Sequence, residues 1–179
     1  MRMKAWASVP LACIAVAAFA APAAAGTPPI KQPIGPVHQV VTDPTACGSY
    51  GVTWDINLTG TLWTFFDSQG RRVKRIAHIE EENTVANTVT GLTLRDGPVS
   101  FVETTTYDAA TNTRKLIFIV GTSADVRRGR ERLVDRGPIL IDGQTGRILW
   151  SFGPHPLREL LDGSFDTSLA LPGFCHILR

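Results

Sequence analysis

From residue 52 to residue 58 apolar and polar side chains alternate without a break. Val52, Trp54, Ile56 and Leu58 take one side, and Thr53, Asp55 and Asn57 take the other. Successive side chains of a strand point to opposite faces, so this period of two marks a β-strand with one wet and one buried face. The same signal recurs along the chain. Thr61 to Phe66 is aromatic and β-branched, Asp67-Ser-Gln-Gly70 supplies a turn, and Arg71 to Glu80 returns through Val73, Ile76 and Ile79. A second hairpin is predicted from Val99 to Tyr107, through Asp108-Ala-Ala-Thr-Asn-Thr113, to Leu116-Ile-Phe-Ile-Val120. A third joins the run from Leu133 to Ile141 to Ile148-Leu-Trp-Ser-Phe152 through Asp142-Gly-Gln-Thr-Gly146.

Three successive hairpins predict an all-β domain, an antiparallel meander of about eight strands. A barrel-like closure is the first expectation and a two-sheet sandwich the runner-up, since either hides the sheet edges. Two stretches are less regular, Glu82 to Pro98 and Gly121 to Arg132, the first with room for a short strand over Thr84 to Leu94. One short C-terminal helix is expected at Pro156-Leu-Arg-Glu-Leu-Leu-Asp162. Proline in its first turn and Gly163 just past its end mark the limits.

The first residues bear on compartment. Arg2 and Lys4 precede an almost wholly apolar run from Leu11 to Ala20, and Ala21-Pro-Ala-Ala-Ala25 supplies small residues ahead of Gly26. This reads as a secretory signal peptide over residues 1–25; the apolar run is too short for the ~20 residues of a membrane-spanning helix. Residues 26–36, Gly-Thr-Pro-Pro-Ile-Lys-Gln-Pro-Ile-Gly-Pro, read as a Pro/Gly-rich leader, leaving residues 37–179 as a single domain. The charge balance then shifts. Arg2 and Lys4 are two of 18 basic residues, against 16 acidic ones, so the remainder is neutral and a general polyanion-binding role loses its main support.

Three cysteines are present, and Cys13 lies inside the apolar run. Cys47 and Cys175 remain, an even pair most simply joined as a disulfide in an oxidising, extracellular compartment; free thiols or a metal or catalytic cysteine are the alternatives, and no CxxC or Cys/His spacing accompanies either residue.

The order of Cys47-Gly48, the Asp67-to-Arg75 turn and strand, Asp142-Gly-Gln-Thr-Gly146, Gly153-Pro-His-Pro156 and the late Phe174-Cys175 resembles small secreted actinobacterial proteins of uncharacterised function. The resemblance implies a secreted β domain with its terminal cysteines joined. It supplies no activity, ligand, cofactor or catalytic residue.

Candidate polar residues are few. His78, Glu80 and Glu82 sit at alternate positions and would share a strand face, where they could serve a divalent metal, acid–base chemistry or simply a solvated surface. His155 is held between two prolines, with Asp162 and His176 as neighbours if the C-terminus folds back, and Glu103 lies on a strand. The arginines of Arg71 to Arg75 and of Arg127 to Arg132 could grip an anionic envelope polymer. Nucleic acid is not expected, because no aromatics interleave with the charges. No Gly-x-Ser-x-Gly or His-Glu-x-x-His motif occurs.

Three functions follow. The first is a non-enzymatic binding or envelope-associated module, with Trp54, Trp63, Phe65, Phe101, Phe118 and Trp150 lining a barrel that takes a small hydrophobic ligand. The second is a small-barrel cyclase or isomerase acting on an apolar metabolite through His78, Glu103 or His155. The third is a secreted inhibitor or protein-interaction domain.

Overall fold

The structure is a computed structural model that describes residues 28–156 and 172–179. Five long strands follow one another, each antiparallel to the last: β1 (Ile30–Asp43), β2 (Val52–Phe66), β3 (Arg72–Asn87), β4 (Thr93–Tyr107) and β5 (Arg114–Arg128). The chain then breaks into short pieces. β6 (Glu131–Arg136) pairs with the later half of β5, β7 (Ile139–Asp142) with the earlier half, and β8 (Ile148–Ser151) with β7. A single described helix, α1 (Pro172–Ile177), follows. The all-β reading and the meander are therefore present in the fold.

One face of this sheet carries every buried strand side chain, among them Val52, Ala77, Val85, Val99, Thr105, Val126 and Ile139. We call it the inner face. Side chains of the opposite, outer face on β2 to β5 are all half-buried or exposed.

A line of glycines, prolines and bulges crosses the strands at mid-length and divides the sheet into a base and a wing. The pairing register shifts between Ile34 and Val37 in β1, between Glu81 and Asn83 in β3, and between Thr122 and Ala124 in β5. Gly137-Pro138 separates β6 from β7 on the same line. Bulges bend a strand and raise its local twist, which is what a crease requires. Two glycines show why side chains are excluded there. A Cβ at Gly60 would stand 2.1 Å from the backbone oxygen of His78, and one at Gly137, where φ is 114°, would stand 2.1 Å from that of Phe152.

The base holds the continuous core. Val52, Val85, Ala124, Val126 and Leu133 present their inner faces to α1, whose Phe174, Ile177 and Leu178 complete the cluster with Ala46 and Tyr50. Burial of such apolar side chains is worth about 1.5–3 kcal/mol each, which is why six helical residues stay docked. Three further ties hold the tail. Cys175 is bonded to Cys47, the Tyr50 hydroxyl donates to the Cys175 carbonyl, and Asn87 Nδ2 donates to the Leu178 carbonyl at 3.0 Å.

Several expectations are corrected. The sheet is open: β1 and β8 form opposite edges, and a four-residue β8 offers too few pairings to close on a 14-residue β1. Residues 30–36 are not a leader but the first half of an edge strand, where Pro33 and Pro36 are tolerated because one side of the strand has no partner to bond. Glu82 to Pro98 is the end of β3, a turn and the start of β4 rather than a separate short strand, and Val52 to Leu58 and Thr61 to Phe66 are one strand. Trp54 and Phe101 do lie on the inner face, but the register places Trp63, Phe65, Phe118 and Trp150 on the outer one, so these four line no interior. The segment expected as a helix from Pro156 to Asp162, and residues 1–25, lie outside the described residues apart from Pro156.

Candidate functional site

The five polar residues singled out above fall in four places. Glu80 and Glu82 border a groove of about 620 Å³ at the crease, together with Glu81, His38, Leu58 and Val99. His78 is not among its lining residues; it sits in register between Thr61 and Val102 on the outer face. Glu82 pairs with Arg95. Among the described residues no three His, Cys, Asp or Glu side chains are placed to hold a metal ion.

Two residues that went unnoticed in the sequence form the buried polar centre of the crease. Asp96 and Asn83 are buried on the inner face, opposite one another where β3 and β4 bulge. Asn83 accepts from the Asn57 N–H at 3.0 Å and donates to Glu81 Oε2 at 3.0 Å, while Asp96 Oδ1 accepts from the Asp125 N–H at 2.8 Å. Burial raises the Asp96 carboxyl to about 6, the Glu81 and Asp125 carboxylates add to the rise, and the Asp125 N–H opposes it. Glu81 is also raised, again by burial, against the opposing Asn83 hydrogen bond. The only signal for them in the sequence is an acidic run ahead of Asn83 and an Asp-Gly-Pro that reads as a turn.

His155 belongs to a buried brace. Its Nδ1 lies 3.1 Å from Asp135 Oδ1, its Nε2 lies 3.3 Å from the Phe152 carbonyl, and Ser123 Oγ donates to the same Asp135 oxygen at 2.6 Å. Only 5% of the His155 side chain and 1% of the Asp135 side chain are exposed. The aspartate stands between serine and histidine, so the histidine cannot take a proton from the serine, and the set fastens the segment after β8 to β5 and β6. His176 lies elsewhere, exposed beside Glu131. Asp162 is outside the described residues.

Glu103 lines a second groove, of about 680 Å³, on the inner face at the far end of the wing, with Arg72, Arg75, Thr105, Tyr107 and Arg114 around it. This end is basic. The turns after β2, β4 and β7 gather Arg71, Arg72, Lys74, Arg75, Arg114, Lys115 and Arg147 at one tip, against Asp67, Asp108 and Asp142. All three aspartates are used by the turns, each accepting backbone N–H groups within its own loop, and those bonds hold each carboxyl below its usual range. The arginines at the opposite end are spent differently. Arg127 and Arg132 both bind Asp125, which holds its carboxyl far below the usual range, and Arg128 donates to the Ile177 carbonyl.

The outer face of the wing carries an apolar row. In register across the sheet run Trp63, Ile76, Thr104, Phe118, Leu140 and Trp150. Phe65 and Leu116 lie on the tip side of this row, Val102 and Val120 on the crease side. Trp150 is 50% exposed and Val120 40%. Lys31 lies 5.6 Å from the Trp63 ring and Lys74 4.4 Å from the Phe65 ring, so cations border the apolar surface. No described element covers this face.

No family model matches the chain, and no curated protein or solved structure is similar to it. No helix among the described residues is long and apolar enough to cross a membrane.

Proposed function

We propose that the chain is an exported binding module that docks on an anionic lipid surface of the cell envelope through the wing. The single observation that carries this reading is the uncovered row from Trp63 to Trp150 lying beside the basic tip. An apolar sheet face left open to water is costly unless something covers it, and continuous exposed apolar surface marks an interaction site. The lysines over Trp63 and Phe65 and the arginines of the tip select an occupant that is both apolar and negatively charged. Tryptophan suits the boundary between acyl chains and head groups, with one end of its ring system apolar and the other polar. Export is supported by residues 1–25 and by the disulfide, which persists in an oxidising compartment.

Vesicle co-sedimentation tests the reading. The purified protein is expected to pellet with phosphatidylcholine vesicles that contain phosphatidylglycerol and to stay in solution with phosphatidylcholine alone. Binding should weaken as salt shortens the Debye length from about 10 Å at 0.1 M to about 3 Å at 1 M. Trp63→Ala combined with Trp150→Ala should reduce it at least about tenfold, given ~1.5–3 kcal/mol for each large apolar side chain withdrawn from water. Equal sedimentation with both vesicle types, or none with either, would overturn it.

A further inference from the structure

We propose that the groove at the tip of the wing binds one tetrahedral oxyanion of the phosphate class between Arg72, Arg75 and Arg114. The proposal goes beyond the docking reading above: the groove opens on the inner face at the tip, opposite the apolar row, and it is a built site for a single phosphate group.

Three observations support it. First, Arg72 is already aimed. Its guanidinium lies 3.9 Å from the centre of the Tyr107 ring, and its Nε donates to Asn112 Oδ1 at 3.0 Å. Asn112 is itself fixed in a tight turn at a φ of 57°, its N–H donating to the Asp108 carbonyl at 2.8 Å. Stacking on one side and a hydrogen bond at Nε leave the terminal nitrogens to meet a ligand, and a guanidinium held this way loses little freedom on binding.

Second, the three arginines make no ion pair with a carboxylate among the described residues, whereas Arg71, Arg95, Arg127 and Arg132 each do. Like charges are kept together here without internal neutralisation, which raises the local potential felt by an anion. The one carboxylate in the groove, Glu103, accepts the Thr105 hydroxyl at 2.7 Å, and it leaves the arginines in a majority of three to one.

Third, the neighbouring turn is shaped around one of them. A Cβ at Gly143 would lie 2.8 Å from Arg114 Cβ, and the Gly143 N–H donates to the Lys115 carbonyl at 2.9 Å. The β7–β8 turn therefore packs against Arg114 and limits where its side chain can go. Guanidinium groups recognise phosphate with paired N–H···O bonds, and each such charge-assisted bond is worth roughly twice a neutral one.

The group could come from a lipid head group or from a soluble phosphate ester, and calorimetric titration with inorganic phosphate and with glycerol 3-phosphate separates these sources from the vesicle assay. Saturable binding of both anions is expected at about 0.1 M sodium chloride, where long-range attraction is screened. Arg75→Gln and Arg114→Gln should each weaken it about tenfold to a hundredfold without lowering the unfolding midpoint, and Arg147→Gln, an exposed arginine of the same tip, should change it less than threefold. Absence of saturable binding in the unaltered protein would overturn the proposal, as would an Arg147→Gln effect as large as that of Arg75→Gln. Phosphate binding without vesicle binding supports the site, assigns it to a soluble ester and removes the docking reading. Vesicle binding that survives both groove substitutions unchanged, with no phosphate binding, keeps the docking reading and removes the site.

Discussion

Breaking the Cys47–Cys175 bond is expected to lower the stability of the folded protein by about 4–5 kcal/mol. The bond closes a loop of 128 residues, and in the chain-entropy account that closure removes a large part of the freedom of the unfolded chain. The folded state loses as well. Cys175 belongs to a helix of six residues, far too short to persist alone, which is held by Phe174, Ile177 and Leu178 against Val52, Val85 and Leu133. Without the bond, the hydrogen bonds from Tyr50 and Asn87 to the tail must hold it against fraying. Urea unfolding of the oxidised protein, of the reduced protein and of the Cys47→Ser/Cys175→Ser variant measures the effect, and the two altered forms should agree with each other. Hydrogen exchange should show early loss of protection in α1 and at the start of β2, with the wing little changed. An unfolding midpoint that ignores reductant would show that the tail contributes nothing to the fold.

Burial of Asp96 should make stability fall as pH rises from about 4 to about 6, and Asp96→Asn should remove that contribution, leaving the one of the same sign from Glu81, whose carboxyl is also raised by burial. The Asp96 carboxyl is raised from 3.8 to about 6, chiefly by burial. Its proton is therefore held more tightly by the folded chain than by the unfolded one. Between the two values the folded state binds more protons, so raising the pH favours unfolding; the contribution is fully present below about 4 and lost above about 6. At about 1.4 kcal/mol per unit, the loss amounts to roughly 2–3 kcal/mol. An asparagine at this position keeps an oxygen for the Asp125 N–H and carries no charge to bury, so the variant should be more stable than the parent at pH ~8 and equal to it near pH ~4. Asp67, Asp108, Asp125 and Asp142, whose carboxyls are lowered, act in the opposite sense: they favour the fold above their ordinary range and lose that effect as pH falls through their lowered values. Comparing the two proteins at each pH cancels them. Parallel stability curves would rule out a buried charge at Asp96.

The same residues show where the sequence could be read and where it could not. Alternation from Val52 to Leu58 and the Asp-Gly turn at Asp142 are local signals, and the strands and hairpins they predict are present. The disulfide was legible because counting survives without geometry. The lengths of the strands were not legible. Gly60, Gly97-Pro98 and Gly121 look like ends of elements, yet all lie inside strands or their bulges, because the crease needs small residues where backbones approach. Nor could the sequence say which face each aromatic takes. Trp54 and Trp63 sit in one strand nine residues apart, and an odd separation turns them to opposite sides once the two runs are known to be continuous. The arginine groove assembles Arg72 and Arg75 of β3 with Arg114 of β5, on either side of β4, and such a meeting leaves no mark on any single segment. Asp96 failed for a related reason: its burial depends on Asn83 and Asp125, its partners in two neighbouring strands.

The edge strand β1 has one more consequence. It enters the sheet beside Thr64 at the tip and leaves it beside Val52 at the base, while α1 and Leu178 pack in the base. At about 3.3 Å per residue, the 14 residues of β1 span roughly 45 Å, so the two ends of the described fold are set nearly a molecule's length apart. Joining them to permute the chain would require a long linker across the whole sheet. Copies fused through these two ends of the described fold would follow one another end to end, and a tag attached beyond α1 would sit at the base, away from the tip.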